Sequence, residues 1–302
     1  MSFATPNEIF GYKIVDKVGE GAASVVFAVM DPKSKQVMAL KHVIRRSEKD
    51  QRFIEQMEQE HKVGSKLDHV NVRAIHKLLK NKPLFGPAKD VALVMELVDA
   101  ATLDGNRRPG AADIASYFAQ AARGLAHMHE RGFVHADMKP SNMMVREDGV
   151  VKIIDLGQAC AVGVKKERVQ GTPGYIAPEQ AFREMITPLT DVYNLGMTLH
   201  WVLTRREAPS AMPSGTTTAI SPLSIKLPRL PHEADRRIPA ALGELVMSCI
   251  QVAPEDRAPS MAALAERLAD IESECRRSGH GADLEGSISG NNAPDAAVDA
   301  GK

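Results

Sequence analysis

A carboxylate on the apolar stripe of a helix sets the strongest limit on how this chain can fold. From about Lys49 to Leu67 the sequence reads as one helix, in which Phe53, Met57, Glu60, Gly64 and Leu67 recur at steps of four, three, four and three. Those steps put all of them on one face, so Glu60 points inward while Glu55, Glu58 and His61 diverge from it. A carboxylate on a buried stripe needs a cation. The preceding apolar run Val37-Met38-Ala39-Leu40 reads as a strand and ends in Lys41, which is the obvious candidate.

Two more strands precede that one. Tyr12 to Val18 alternates and is β-rich, and Val25 to Met30 is β-branched and ends in the turn signal Asp31-Pro32. Between them lies Gly19-Glu20-Gly21-Ala22-Ala23-Ser24. A similar glycine string opens the helix of a dinucleotide-binding unit, but here it joins two strands. Such a hairpin can lay backbone N–H groups over phosphates as a lid. It can also be a plain turn in which glycine supplies positive φ.

The densest chemistry is in His135-Ala136-Asp137-Met138-Lys139-Pro140-Ser141-Asn142, followed by Asp155-Leu156-Gly157. One short loop thus carries a carboxylate, an ammonium and an amide, with a second carboxylate a hairpin away. Phosphoryl transfer needs such a set: a base for the attacking hydroxyl, cations for developing phosphate charge and oxygen ligands for magnesium. Alone, the octapeptide also fits a core histidine beside a turn aspartate, and small-molecule kinases carry a similar string. Three further strings follow in order: Gly171-Thr172-Pro173-Gly174-Tyr175-Ile176-Ala177-Pro178-Glu179, Asp191-Val192-Tyr193-Asn194-Leu195-Gly196 and Pro254-Glu255-Asp256-Arg257-Ala258-Pro259-Ser260.

In this order and spacing the motifs resemble the catalytic domain of eukaryotic-type (Hanks-type) serine/threonine protein kinases of the bacterial kind, over roughly residues 10 to 270. The resemblance implies an α+β, bilobal protein kinase fold. A small antiparallel β-rich lobe with one helix would span 10–97, a larger mainly helical lobe 98–274, and a disordered tail 275–302. It implies ATP and Mg2+ as cofactors and a catalytic set of Asp137, Lys139, Lys41 and Glu60. Lys41 would hold the α- and β-phosphates and Glu60 would hold Lys41. Asp137 would orient the substrate hydroxyl and accept its proton, and Lys139 would sit on the γ-phosphate. Asn142 and Asp155 would ligate magnesium, an ion that takes a few protein oxygens plus phosphates.

Further nucleotide contacts would come from Gly19, Glu20, Gly21, Ser24, Val26 and Ala39, from Met95 as gatekeeper, and from Glu96 and Val98 in the hinge Glu96-Leu97-Val98, whose backbone would read adenine. Thr172 would hydrogen-bond towards Asp137 and Lys139, favouring serine or threonine acceptors, and Glu179 with Arg257 would form a buried brace. The implied partners are ATP and protein substrates, in signal transduction.

Two alternatives stand beside this reading. A small-molecule kinase of the aminoglycoside type shares the Asp137 loop and the magnesium aspartate but lacks the Gly171-to-Glu179 segment. A pseudokinase would keep the fold without the chemistry, yet Lys41, Asp137, Asn142 and Asp155 are all present.

Several positions depart from the family pattern. Ala136 stands where the family often has an arginine that grips an activation-loop phosphate. Consistently, Leu156 to Gly171 contains no serine, threonine or tyrosine and carries Lys165, Lys166 and Arg168 instead. Both features imply activity independent of activation-loop phosphorylation. Leu156 replaces a phenylalanine and Ser24 a glycine, swaps expected to change little. Gly64 stands where the family usually has a bulky apolar residue. A mid-helix glycine costs about 1 kcal/mol relative to alanine and is expected to leave a gap, filled either by a neighbouring side chain or through an activating partner or ligand that seats the helix.

Composition bounds the rest. Lys plus Arg and Asp plus Glu number 38 each, so no net field gathers nucleic acid or anionic lipid. The 44% apolar content suffices for one two-lobed domain. Cys160, Cys249 and Cys275 lie too far apart for a metal motif and fit a reducing cytosol, with Cys160 more readily an inert apolar residue than a redox handle. No stretch has the length of a membrane span and no signal peptide opens the chain, so a cytoplasmic protein is expected.

Thr190 to Thr204 reads as a buried central helix, Ala112 to Glu130 as the first long helix of its lobe, and Pro239 to Val252 and Met261 to Ser273 as the last two. The Pro-, Ser- and Thr-rich stretch between Glu207 and Ile238 reads as a flexible loop or as a set of autophosphorylation sites, with no helical period from Pro222 to Leu230. From Ser278 the chain lacks bulky apolar groups and reads as disordered.

Overall fold

Alternating and β-branched runs in the first third of the chain pair into one sheet. The computed structural model describes residues 7–21, 23–83, 86–106, 108–212, 221 and 225–279. Strands β1 (Glu8–Ile9), β2 (Tyr12–Glu20), β3 (Ser24–Met30), β4 (Val37–Ile44), β5 (Ile75–Asn81) and β6 (Asp90–Met95) form an antiparallel sheet in the order β1-β2-β3-β4-β6-β5. Its register sets Val26 opposite Lys41, Lys41 opposite Leu93 and Ala39 opposite Met95.

Helix α1 (Gln51–Gly64) is entered through the 3-10 turn Glu48–Asp50, whose capping box has Asp50 accepting a hydrogen bond from Ser47 N at 2.7 Å. It buries Ile54, Met57, Glu60, Val63 and Gly64. Ile54 and Met57 join Val43, Ile75, Leu93 and Met95 of the sheet in one apolar cluster. The gap expected at Gly64 is absent. A Cβ built there would collide with Ile75 Cγ1 and stand 3.3 Å from Leu156 Cδ1. Ile75 of β5 already fills the space, so glycine is what lets α1 approach the sheet.

The second lobe is mainly helical, as expected. Its short strands β7 (Ala101–Thr102), β9 (Met143–Val145) and β10 (Val151–Ile153) form a three-stranded sheet, while β8 (Phe133–Val134) pairs with β11 (Cys160–Ala161). Helices α2 (Ala111–Glu130), α3 (Pro178–Ala181), α4 (Pro188–Thr204), α5 (Pro231–Ala234), α6 (Ala240–Cys249) and α7 (Met261–Ser278) supply the rest. From Thr190 to Leu203 every residue of α4 except Trp201 is buried, and Leu195, Leu199, Phe118, Leu125, Val246, Leu268 and Ile271 share one core. Proline at the first turn of α3, α4 and α5 fixes where those helices begin.

Two expectations are corrected here. The tail does not begin at 275: Cys275 continues the buried stripe of Leu264, Leu268 and Ile271, and Arg276 bonds Glu272 at 3.0 Å and Asp113 at 3.2 Å. The helix ends only at Gly279, whose φ of 75° suits glycine; residues 280–302 lie outside the described residues. The stretch after Glu207 is also packed at its start. Ala208, Ser210, Ala211 and Met212 are buried, and Gly174 N donates to Met212 O at 2.8 Å. Burial removes Ser210 from the candidate modification sites, whereas Ser214 and Thr216 to Thr218 lie outside the described residues. All three cysteines are free and buried, and burial pushes the Cys249 thiol up to about 12. Among the described residues no helix is long and apolar enough to cross a membrane.

Candidate active site

The inward carboxylate of α1 meets its cation. Lys41 Nζ donates to Glu60 Oε2 at 2.8 Å and stands 3.6 Å from Asp155 Oδ1. Glu60 is fully buried, and its other oxygen, Oε1, accepts from Arg73 Nη2 at 3.3 Å. Burial alone disfavours the Lys41 ammonium, but Glu60 and Asp155 outweigh it and raise Lys41 above the ordinary lysine range. The same ammonium holds the Asp155 carboxyl down at about 2 against the opposing effect of burial, with Arg73 and the Gly157 N–H assisting. Asp155 itself adopts a left-handed backbone, φ 61° and ψ 78°, closed by Gly157 N donating to its Oδ1 at 3.3 Å.

The His135–Asn142 loop hangs from α4. Asp191, fully buried, accepts from His135 N at 2.9 Å and Ala136 N at 2.8 Å, and it also pairs with His129 Nε2 at 2.8 Å. These bonds hold Ala136 at a φ of 60°, a region L-residues seldom enter. Asn142 Nδ2 donates to Asp137 O at 2.8 Å, closing the loop on itself. Thr172 joins the two charged side chains. Its Oγ1 donates to Asp137 Oδ1 at 2.7 Å and accepts from Lys139 Nζ at 2.8 Å, while Lys139 Nζ lies 3.3 Å from Asp137 Oδ2.

A cavity of about 1080 Å³ lies on the helical-lobe side of the segment after β6, lined in part by Glu96, Leu97, Val98, Tyr117, Val145 and Asp148, and none of Lys41, Asp137, Asn142 or Asp155 lines it. Met95, at the end of β6, is fully buried in the cluster between sheet and α1. Glu96 N donates to Ala74 O at 2.9 Å, and the Glu96 carboxylate takes Lys152 Nζ at 2.8 Å, so the side chain faces β10. The β2–β3 hairpin is closed by Gly21 N donating to Ser24 O at 2.7 Å, with Gly19 opposite Val26. The Glu20 carboxylate is taken by Lys17 in an exposed pair.

The segment after Asp155 is ordered by backbone bonds. Gly163 N donates to Ile186 O at 2.8 Å and Ile186 N to Val164 O at 2.9 Å. Lys166 Nζ reaches Gln158 O at 2.8 Å, and burial lowers that ammonium below its ordinary range. Gln180 Nε2 donates to Ala136 O at 2.7 Å, and Asn194 Nδ2 to Gln180 Oε1 at 2.9 Å. Further from the cleft, Arg257 and Glu179 make the expected two-pronged pair, Nη1 to Oε1 at 2.8 Å and Nη2 to Oε2 at 2.9 Å.

Lys41, Glu60 and Asp155 thus form one charge cluster, and Asp137, Lys139, Asn142 and Thr172 a second. Sequence reasoning missed Arg73, Gln180 and the anchoring bonds of Asp191. For Arg73 a signal existed: a lone cation inside Val70-Asn71-Val72-Arg73-Ala74-Ile75. The donor set fits a nucleotide with magnesium. Asp155 stays ionised down to about 2, and Asn142 uses its amide N–H on Asp137 O, which leaves its oxygen as the ligating atom. Lys41 offers Glu60 one hydrogen bond out of three donors.

Comparison with known proteins agrees with this geometry. Residues 12–268 match the family described as the protein kinase domain. A probable serine/threonine-protein kinase of Clostridium acetobutylicum is 28% identical over 86% of this chain and 40% of its own length. Serine/threonine-protein kinase PknA of Mycobacterium tuberculosis is 28% identical, covering 86% of this chain and 61% of the relative. For PknL of the same species the identity is 28%, with 87% and 66% covered. The chain spans less than two thirds of the length of each of these relatives.

Proposed function

The chain belongs to the protein kinase domain family, and on that premise we propose that it transfers the γ-phosphate of ATP to serine or threonine hydroxyls of protein substrates. The observation that carries this reading is Thr172, which ties the segment before Glu179 to both Asp137 and Lys139. A small-molecule kinase has no such segment.

ATP would lie between the β2–β3 hairpin and the Lys41–Asp155 cluster, with Val26 and Ala39 above the base and the backbone of Glu96 to Val98 beside it. Lys41 donates to the α- and β-phosphates while Glu60 holds it. Asn142 and Asp155 would hold Mg2+, which would supply neutralising charge to the phosphates. Asp137 accepts the hydroxyl proton through its Oδ2 side, since Oδ1 is engaged by Thr172. Lys139 then follows charge developing on the γ-phosphate. The lobes divide near residues 97 and 98. Three free, buried cysteines support a cytoplasmic setting, and signal transduction is the setting the relatives' kind suggests.

This activity needs no activation-loop phosphate. Ala136 has no cation to offer one, Leu156 to Gly171 has no acceptor hydroxyl, and backbone bonds to Ile186 with the Lys166 contact already order the segment. Since Ile75 fills the space beside Gly64, the reason for expecting an activating partner falls away.

Labelled ATP with magnesium and a basic protein acceptor tests both statements. Wild type is expected to label serine or threonine, and Asp137→Asn to lose about a hundredfold or more of the rate, the scale of a missing general base. Label on aminoglycosides and none on protein would overturn the acceptor class. Phosphate on Thr172 that turnover requires would overturn the independence.

A further inference from the structure

Glu60 has two cations where its pairing with Lys41 needs one. We infer that Arg73 is a positioning residue that keeps α1 seated, compensating Glu60 so that Lys41 is free to share its ammonium with the nucleotide; this rests on the kinase reading above. The two oxygens of Glu60 are divided between them: Oε2 to Lys41 Nζ at 2.8 Å and Oε1 to Arg73 Nη2 at 3.3 Å.

Arg73 is in the sheet lobe, but its backbone is bonded to the other one. Its N–H donates to Ile153 O at 3.0 Å, and Ile153 N returns a bond to Asn71 O at 2.8 Å. Asn71 Nδ2 adds bonds to Val151 O at 2.9 Å and Gln120 Oε1 at 3.1 Å, tying the segment to β10 and α2. Asp155 follows Ile153 by two residues, so Arg73 couples α1 to the strand that carries the magnesium carboxylate. Two residues further on, Ile75 packs into the slot that Gly64 leaves. One short segment therefore grips the helix by charge and by shape.

The chemistry needs that second cation. A fully buried carboxylate whose partner turns towards phosphates becomes an uncompensated charge, a strongly unfavourable state. Lysine has to serve two masters here, whereas arginine keeps its charge in any protein setting and has no phosphate to meet. With no loop phosphate available to order the site, a fixed internal cation seats the helix in every turnover.

The test uses the full chain with Arg73→Met, Arg73→Lys and the double variant Glu60→Gln with Arg73→Met. Phosphate transfer and hydrogen exchange are read on each, the latter with and without magnesium and a non-hydrolysable ATP analogue. Arg73→Met is expected to lower kcat about tenfold or more and to speed exchange across residues 51–64 while α4 exchange holds. Arg73→Lys should recover most of both. In the double variant the neutral amide needs no counter-ion, so exchange in α1 returns towards wild type while transfer stays low. Unchanged exchange and rate in Arg73→Met would overturn the inference, as would equal acceleration in α1 and α4, which marks a merely structural residue. Absence of transfer by wild type would overturn the kinase reading alone, because the exchange readings need no turnover.

Discussion

Two buried glutamates, one in each lobe, are both paired with cations, yet they are built for different ends. Glu179 faces Arg257, and every donor of that guanidinium is taken: Nε by Gln251 O, Nη1 by Glu179 and Leu189 O, Nη2 by Glu179 and Val252 O. The group also lies 4.9 Å from the Tyr193 ring centre. Nothing is left over for a ligand. Glu60 faces Lys41, which gives it one hydrogen bond, and is balanced by Arg73 from a different segment. The difference teaches how to tell a brace from a working pair: in the brace all donors end on protein, while in the working pair some are kept in hand.

The contrast is sharpest in a pair of single substitutions. Arg257→Met strands Glu179 in the core and is expected to cost about 3–5 kcal/mol of stability, read as a large fall in the denaturation midpoint. Lys41→Met abolishes transfer but leaves Glu60 with Arg73, so its midpoint should move far less. Equal losses in the two would break the distinction.

Acid separates the lobes next. At the cleft Asp155 keeps its charge, since Lys41 holds that carboxyl down at about 2. In α4, burial holds His200 down at about 4 from its ordinary 6.5. The unfolded chain therefore binds that proton first, and stability present above about pH 6.5 is lost as pH falls towards 4. The shift corresponds to roughly 3 kcal/mol when complete. Denaturant titrations from pH 7 to 4 should show that slope, and His200→Gln should flatten it.

The smallest effect is at the close approach of α1 to the sheet. Gly64→Ala puts a methyl group onto Ile75, an overpacking expected to cost about 1–3 kcal/mol, although alanine is the better helix former. Ile75→Ala in the same chain removes the clashing Cγ1, so the double variant should cost less than the sum of the two single ones. A stability gain from Gly64→Ala alone would mean that the helix rides loosely.

The sheet lobe was the more legible half. Periodicity around Glu60 and the apolar run ending at Lys41 were enough to expect their contact, because a buried charge leaves few choices of partner. The helical lobe announced its long helices through their apolar faces, but α7 runs five residues past the expected Ser273 because Cys275 is still on the buried stripe. The lone cation Arg73 stood out in its apolar run, but its partner Glu60 and the packing of Ile75 against Gly64 were not legible. Each depends on which segment the fold lays beside α1, and no local pattern records that. For the same reason Ser210 reads as a loop hydroxyl in sequence and sits in the core in space.

The fit of Ile75 into the notch at Gly64 also carries a constraint on descent. Neither position can drift alone: a larger residue at 64 needs a smaller one at 75, and a shortened 75 opens room that only a side chain at 64 can fill. Lineages should therefore exchange the two together, and the pair should vary as a unit.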